Sequence, residues 1–175
     1  MMAYWEWIRV TGVLAYWLLT LSILFGLIRS VANVSPSFKQ FGVFGHALFG
    51  SFACLLGAVH GFLLLFDTYR PYTLFEIIVP FTATYKPLLS ASGTISLLLM
   101  LVIILSSDFR AKVGQRVWKW LHTLSYPAWV FAFIHGCFLG TDSTTSLGQV
   151  FFWATGTVIA VFLLLRAFMK KNARR

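Results

Sequence analysis

Four histidines carry the chemistry of this chain. His46 and His60 stand fourteen residues apart in one apolar run, and His122 and His135 stand thirteen apart in another. An ionisable side chain inside a bilayer is costly and marks a functional site by default. On a helix, fourteen residues rise about 21 Å, which puts one histidine near each leaflet. They also make nearly four turns, so both imidazoles leave the same face. The residues between them on that face are Gly50, Ala53 and Gly57; the matching positions between His122 and His135 are Ser125, Ala128 and Ala132. Small residues leave room for a flat macrocycle beside the helix. Pro127 interrupts the second pair, and a proline kink can reset the helical phase of the residues beyond it. The pattern points to bis-histidine ligation of two b-type haems, with all four histidines as iron ligands. Small residues also serve close helix packing, which accounts for the glycines and alanines but not for the imidazoles. Zinc needs ligands converging within a few ångströms, and ligands about 20 Å apart along one helix cannot converge.

The elements that must hold these residues are membrane helices. Hydrophobic residues make up 59% of the chain, charged residues only 11%, and the mean hydropathy is +0.81. That composition excludes an ordinary soluble globule. The net charge of +9 gathers in loops and the tail, the pattern of membrane topology rather than of nucleic-acid binding. Apolar runs predict five spans in a single domain over 1–175, at about 7–28, 41–66, 88–105, 117–138 and 149–168. The first is expected to be a retained span, since no basic n-region precedes it and no small-x-small cleavage site comes after it. Tyr4, Trp5 and Trp7 form an interfacial aromatic belt there. Arg29 to Gln40 is expected as a polar loop. Asp67 to Pro87 is too broken by Pro71, Pro80 and Pro87 to span, and reads either as an interfacial cap over one haem edge or as a passive surface loop. Cys54 and Cys137 have no CxxC partner and read as packing residues.

Charge fixes the expected orientation. Arg29, Lys39, Arg110, Lys112, Arg116, Lys119, Arg166, Lys170, Lys171, Arg174 and Arg175 fall on one side of five spans; Arg9, Arg70 and Lys86 fall on the other. The positive-inside rule then places the N-terminus outside and the C-terminus in the cytoplasm of a cell membrane. The second and fourth spans run parallel, so the pairs are His46 with His122 near the inner face and His60 with His135 near the outer. Haem propionates need cationic partners: Arg116 and Lys119 are the inner candidates, and Arg9 is the outer one. For Arg9, snorkelling to the headgroups is the plainer alternative.

These residues together resemble the ferric reductase-like transmembrane domain family, which includes ferric reductases, NADPH oxidases and the haem b membrane subunit of bacterial methionine sulfoxide reductase systems. The resemblance runs from Arg9 to about Gly136. It is carried by Arg9-x-x-Gly12-x-x-Ala15, by the two histidine spacings, and by Arg110 followed by Trp118-x-x-x-His122-x-x-x-Tyr126 and His135. It implies an all-α bundle holding two stacked haems b that move electrons between the membrane faces. Many members carry an FAD and NADPH domain after the last span, and members often have six spans. Here Arg166 to Arg175 come after the core of the fifth span and no GxGxxG fingerprint occurs.

The expected activity is that of a haem b oxidoreductase needing a separate electron donor. That donor is a flavoprotein docking on the basic face or a quinol from the bilayer, so a flavin or quinone would come from a partner. The family implies ferric chelates, oxygen or a partner reductase as the extracytoplasmic acceptor. One alternative is a cytochrome b subunit of a larger complex exchanging electrons with quinone. Another is a haem or metal transporter or haem sensor, which should show a trail of Met or His; Met1, Met2, Met100 and Met169 form none.

Overall fold

A computed structural model describes residues 4–31 and 35–172, and every regular element among them is helical. Met1, Met2, Arg174 and Arg175 lie outside the described residues, as do the side chains of Arg29, Lys170 and Lys171. Four long helices dominate: α1 (Tyr4–Val31), α2 (Pro36–Leu63), α4 (Pro87–Asp108) and α8 (Ser146–Asn172). Shorter ones are α3 (Leu74–Ile78), α5 (Arg110–Val113), α6 (Gln115–Thr123) and α7 (Ser125–Phe138). The stretches Tyr4–Leu27, Pro36–Phe66, Pro87–Asp108 and Ser146–Met169 are each long and apolar enough to cross a membrane. The chain is a multi-pass helical membrane protein.

Two expectations from the sequence are corrected. The polar loop read as Arg29 to Gln40 is mostly helix: α1 runs to Val31 and α2 begins at Pro36. The Ser35 hydroxyl accepts from the Phe38 amide, and Pro36 sits in the first turn. There its missing N–H costs nothing and its fixed φ suits the helix. The fourth span, expected as one helix over 117–138, is two. Pro127 cannot donate to the carbonyl of Thr123 and its ring crowds that carbonyl. The chain accordingly leaves α-geometry at Leu124, whose amide bonds to Leu121 O at 3.0 Å. α6 carries His122 and α7 carries His135.

Burial places α1 at the centre. Ile8, Tyr16, Leu19, Thr20, Ile23 and Leu27 are all buried along it. It packs most extensively on α2, and also on α7 and α8. Its polar side chains tie the bundle together. Tyr16 OH meets Thr155 Oγ1 of α8 at 2.6 Å, and the Trp129 indole of α7 donates to Thr20 Oγ1 at 2.9 Å. An aromatic cluster of Tyr16, Trp129, Phe133 and Phe152 fills the space between. α4 packs chiefly on α7, and Ser96 Oγ donates to Ala128 O at 2.8 Å. α2, in contrast, makes at most glancing contact with α6 and α7.

Candidate cofactor site: two histidine pairs

Across that slot between α2 and the α6–α7 segment the histidines meet in two pairs. His46 and His122 have ring centroids 5.6 Å apart at 74°; His60 and His135 stand 6.1 Å apart at 83°. These are the pairs expected from topology. The break at Leu124 absorbs the thirteen-residue spacing, so both histidines of the broken segment face α2.

Backbone carbonyls fix three of the four rings. His60 Nδ1 lies 2.8 Å from Ile8 O, His46 Nδ1 2.8 Å from Ser22 O, and His135 Nδ1 2.9 Å from Leu89 O. A carbonyl only accepts, so each Nδ1 carries the proton and donates. Nε2 is left as the free lone pair. Ser22 adds a further tie, its hydroxyl donating to His46 O at 2.8 Å. His122 is the exception: its Nδ1 is buried without a hydrogen-bond partner, and its ring stacks on Trp118 at 5.2 Å.

A glycine lies behind each of the three tethered rings. A Cβ on Gly12 would stand 2.9 Å from His60 Nδ1, one on Gly93 2.6 Å from His135 Nδ1, and one on Gly26 3.3 Å from His46 Nδ1. No role for Gly26 or Ser22 was apparent from the sequence, nor for the carbonyls of Ile8 and Leu89. One signal was present. Gly12 and Gly26 stand fourteen apart on α1, the same interval as His46 and His60 on the antiparallel α2.

The small-residue stripes divide between two tasks. Ala53, Gly57 and Ala132 line a cavity of about 500 Å³ beside His60 and His135. Gly50 instead faces Ser22 Oγ, and Ala128 is fully buried against α4. Cys54 is buried in the core, Cys137 is half-buried, and neither forms a disulfide.

The same cavity is roofed by the segment from Asp67 to Tyr85, with Tyr69, Arg70, Tyr72 and Glu76 on its lining. Glu76 organises this cap. It closes a capping box with Thr73 at the start of α3 and accepts the Thr84 amide at 2.8 Å. The Thr73 and Thr84 backbone bonds hold its carboxyl down to about 2, so it is ionised across ordinary pH. Arg70 lies 3.8 Å over the Tyr85 ring and holds that phenol below its usual range. Leu74, Phe75, Ile78 and Phe81 are exposed on the cap.

Of the cationic candidates, Arg9 lines the cavity and pairs with Asp142, its Nε donating to Oδ2 at 3.1 Å and its Nη2 to Oδ1. Its guanidinium also lies 4.4 Å over Trp5. Arg116 and Lys119 are exposed on α6, at the opposite end of the bundle. Arg110, beside them, covers the Trp118 ring at 4.2 Å.

The chain is thus a helical membrane protein whose four imidazoles pair between α2 and the α6–α7 segment. The comparison with family models is specific: the model described as ferric reductase like transmembrane component matches residues 11–133. The chain belongs to the ferric reductase-like transmembrane family, and membership suggests transmembrane electron transfer and an oxidoreductase role. No curated protein and no solved structure matches it.

Proposed function

We propose that this protein carries electrons across a cell membrane through two haem b groups, one held by His46 and His122 and one by His60 and His135. The observation that carries the proposal is the slot. α2 and the α6–α7 segment, which scarcely touch, present their imidazoles to each other at two levels, with Nδ1 tied off on three of the four. Two metal–imidazole bonds of about 2.0–2.1 Å, with a ring radius at each end, put centroids about 6.4 Å apart. The spacing of 6.1 Å is close to what one iron between His60 and His135 would need, and the 5.6 Å of His46 and His122 would have to open by less than about 1 Å. Among the described residues no three His, Cys, Asp or Glu side chains converge on one point, so each site offers two protein ligands. The cavity of about 500 Å³ at the second pair is of cofactor size.

Haem b supplies one-electron redox chemistry. The chain contributes the rest. Three backbone carbonyls fix imidazole tautomer and direction and raise ligand basicity. Glycines and alanines clear the walls. The two pairs lie about 21 Å apart along α2. With the basic end in the cytoplasm, His46 and His122 form the inner site and His60 and His135 the outer one. Arg9, Arg116 and Lys119 are the proposed propionate partners, and Arg9 would serve in that role while also paired with Asp142. Electrons enter from a separate flavoprotein or from quinol at the basic face and leave under the cap to ferric iron, oxygen or a partner reductase.

A reduced-minus-oxidised spectrum with a pyridine haemochrome count tests the proposal. Two low-spin b haems per chain are expected in the wild type and one in His60→Ala/His135→Ala. Two haems retained in the double variant would overturn the pairing. Oxidation of the purified reduced protein by ferric citrate or oxygen distinguishes a terminal reductase from a subunit that only relays electrons.

A further inference from the structure

Building on the haem reading, we infer that Ser107 withholds from His122 the carbonyl that glycines open to the other histidines, so the basic-end site holds the electron at rest. The three tethers share one local pattern. Ile8 O accepts from Thr11 Oγ1, three residues on, and Gly12 stands at the fourth; His60 Nδ1 reaches the same oxygen. Leu89 O accepts from Ser92 Oγ, three residues on, and Gly93 stands at the fourth; His135 Nδ1 reaches that oxygen. Ser22 O, which His46 Nδ1 reaches, has Gly26 at the fourth position. A helical residue covers the turn preceding its own Cα. A glycine at the fourth position therefore uncovers the carbonyl for a neighbour's donor.

The fourth tether should lie on α4, fourteen residues beyond Gly93, as Gly26 lies fourteen beyond Gly12. That position is Ser107. The carbonyl four residues before it, Ile103 O, accepts from Ser106 Oγ at 3.0 Å and from Ser107 Oγ at 2.7 Å. Serine back-bonding thus fills the place an imidazole takes elsewhere. Ser107 Oγ in turn accepts from the Trp118 indole at 3.1 Å, and Trp118 stacks on His122. His122 Nδ1 is left buried and unpartnered.

The electronic consequence comes from ligand basicity. A hydrogen bond from Nδ1–H makes the imidazole a stronger donor, which stabilises the oxidised metal. The cap-end site has two such ligands and the basic-end site has one. The basic-end site therefore has the higher midpoint, and a half-reduced molecule keeps its electron there. Ser107 is a positioning residue; it acts through His122.

Potentiometry on the full-length protein tests this, with Ser107→Gly compared against Ser107→Ala. Both variants remove the hydroxyl that Trp118 uses, but only glycine removes the Cβ as well and opens Ile103 O. Ser107→Gly should lower the basic-end midpoint relative to Ser107→Ala and leave the cap-end midpoint in place. Equal midpoints in the two variants would overturn the inference. A second measurement stands if Ser107→Gly does not fold. His60→Ala/His135→Ala keeps only the basic-end haem, whose midpoint should match the higher of the two wild-type values; a match to the lower value overturns it. A wild-type protein with fewer than two haems would instead bring down the haem reading itself, and this inference with it.

Discussion

Replacing Gly93 by alanine should evict the cofactor of the cap-end site. The added Cβ would lie 2.6 Å from His135 Nδ1, 2.7 Å from Cε1 and 3.0 Å from Cγ. Ordinary contact begins near 3.4 Å, so the ring has to retreat by about 0.8 Å or rotate. Either movement stretches its 2.9 Å bond to Leu89 O beyond hydrogen-bonding range. Overpacking of this kind costs about 1–3 kcal/mol, and the lost hydrogen bond about 0.5–1.5 kcal/mol. A combined cost of about 2–4 kcal/mol lowers cofactor affinity roughly thirty- to a thousandfold.

The glycines also make a graded series. Gly12→Ala needs His60 to give about 0.5 Å, Gly26→Ala needs only about 0.1 Å from His46, and Gly42→Ala, away from the cavity, places its Cβ 3.8 Å from Phe25 O, an ordinary contact. Haem per chain, measured by pyridine haemochrome on detergent-purified protein with helix content checked by circular dichroism, should fall in the order Gly42, Gly26, Gly12, Gly93. If Gly42→Ala loses as much haem as Gly93→Ala, the glycines serve helix packing alone and not the tethers.

Three further outcomes are expected. Arg9→Gln leaves Asp142 uncompensated beside the cap-end site and should lower that haem's midpoint, while Asp142→Asn should raise it; unchanged midpoints in both variants would remove the pair from the site's electrostatics. Glu76 has its carboxyl depressed from 4.5 to about 2 by the Thr73 and Thr84 bonds. Its contribution to cap stability is thus complete above about pH 4.5 and lost as pH falls through about 2. Hydrogen exchange at the Thr73 and Thr84 amides should rise over that window, and Glu76→Gln should abolish the dependence. Replacing Arg70 and Lys86 together by Gln should slow oxidation by an anionic ferric chelate, more at low salt than at high, and leave a neutral acceptor unaffected; equal slowing with both acceptors would make the cap a passive cover.

How much of this was legible in the sequence depended on side-chain chemistry. The histidine pairs were readable because an imidazole in an apolar run is costly and its spacing on a helix is fixed by geometry. The class of fold was readable from hydropathy. The helix boundaries near Ser35 and Leu124 were less so, because both turn on a single proline whose effect depends on which side of the break it falls. Pro36 starts a helix and Pro127 divides one. The tethers were not readable, because their acceptors are main-chain oxygens, and Ile8, Ser22 and Leu89 carry no side-chain sign of the role. Arg9 was legible as an anomaly, but its partner Asp142 lies 133 residues away and nothing local names it.

The packing also divides the molecule in a way that bears on how it is loaded. α1 with α2 presents His46 and His60, both tethered by α1 carbonyls; α4 with α6 and α7 presents His122 and His135, one tethered by α4. Each half is a helix or helix pair of ligands backed by a helix of carbonyls, and α2 barely touches the ligand helices opposite. The halves join through α1 against α7, the Trp129–Thr20 bond, a smaller contact of α2 with α4, and α8. A group bound between the histidines therefore bridges surfaces that the chain alone leaves apart. Whatever binds the folded state in preference to the unfolded one stabilises it by mass action, so loading and folding are linked. The link should be strongest where both imidazoles are already aimed. On the proposed haem reading, His60 and His135 should therefore fill first when the apoprotein is titrated with limiting haem, and His46 and His122 second; a variant His46→Ala/His122→Ala that takes up the first equivalent no better than His60→Ala/His135→Ala would refute this order.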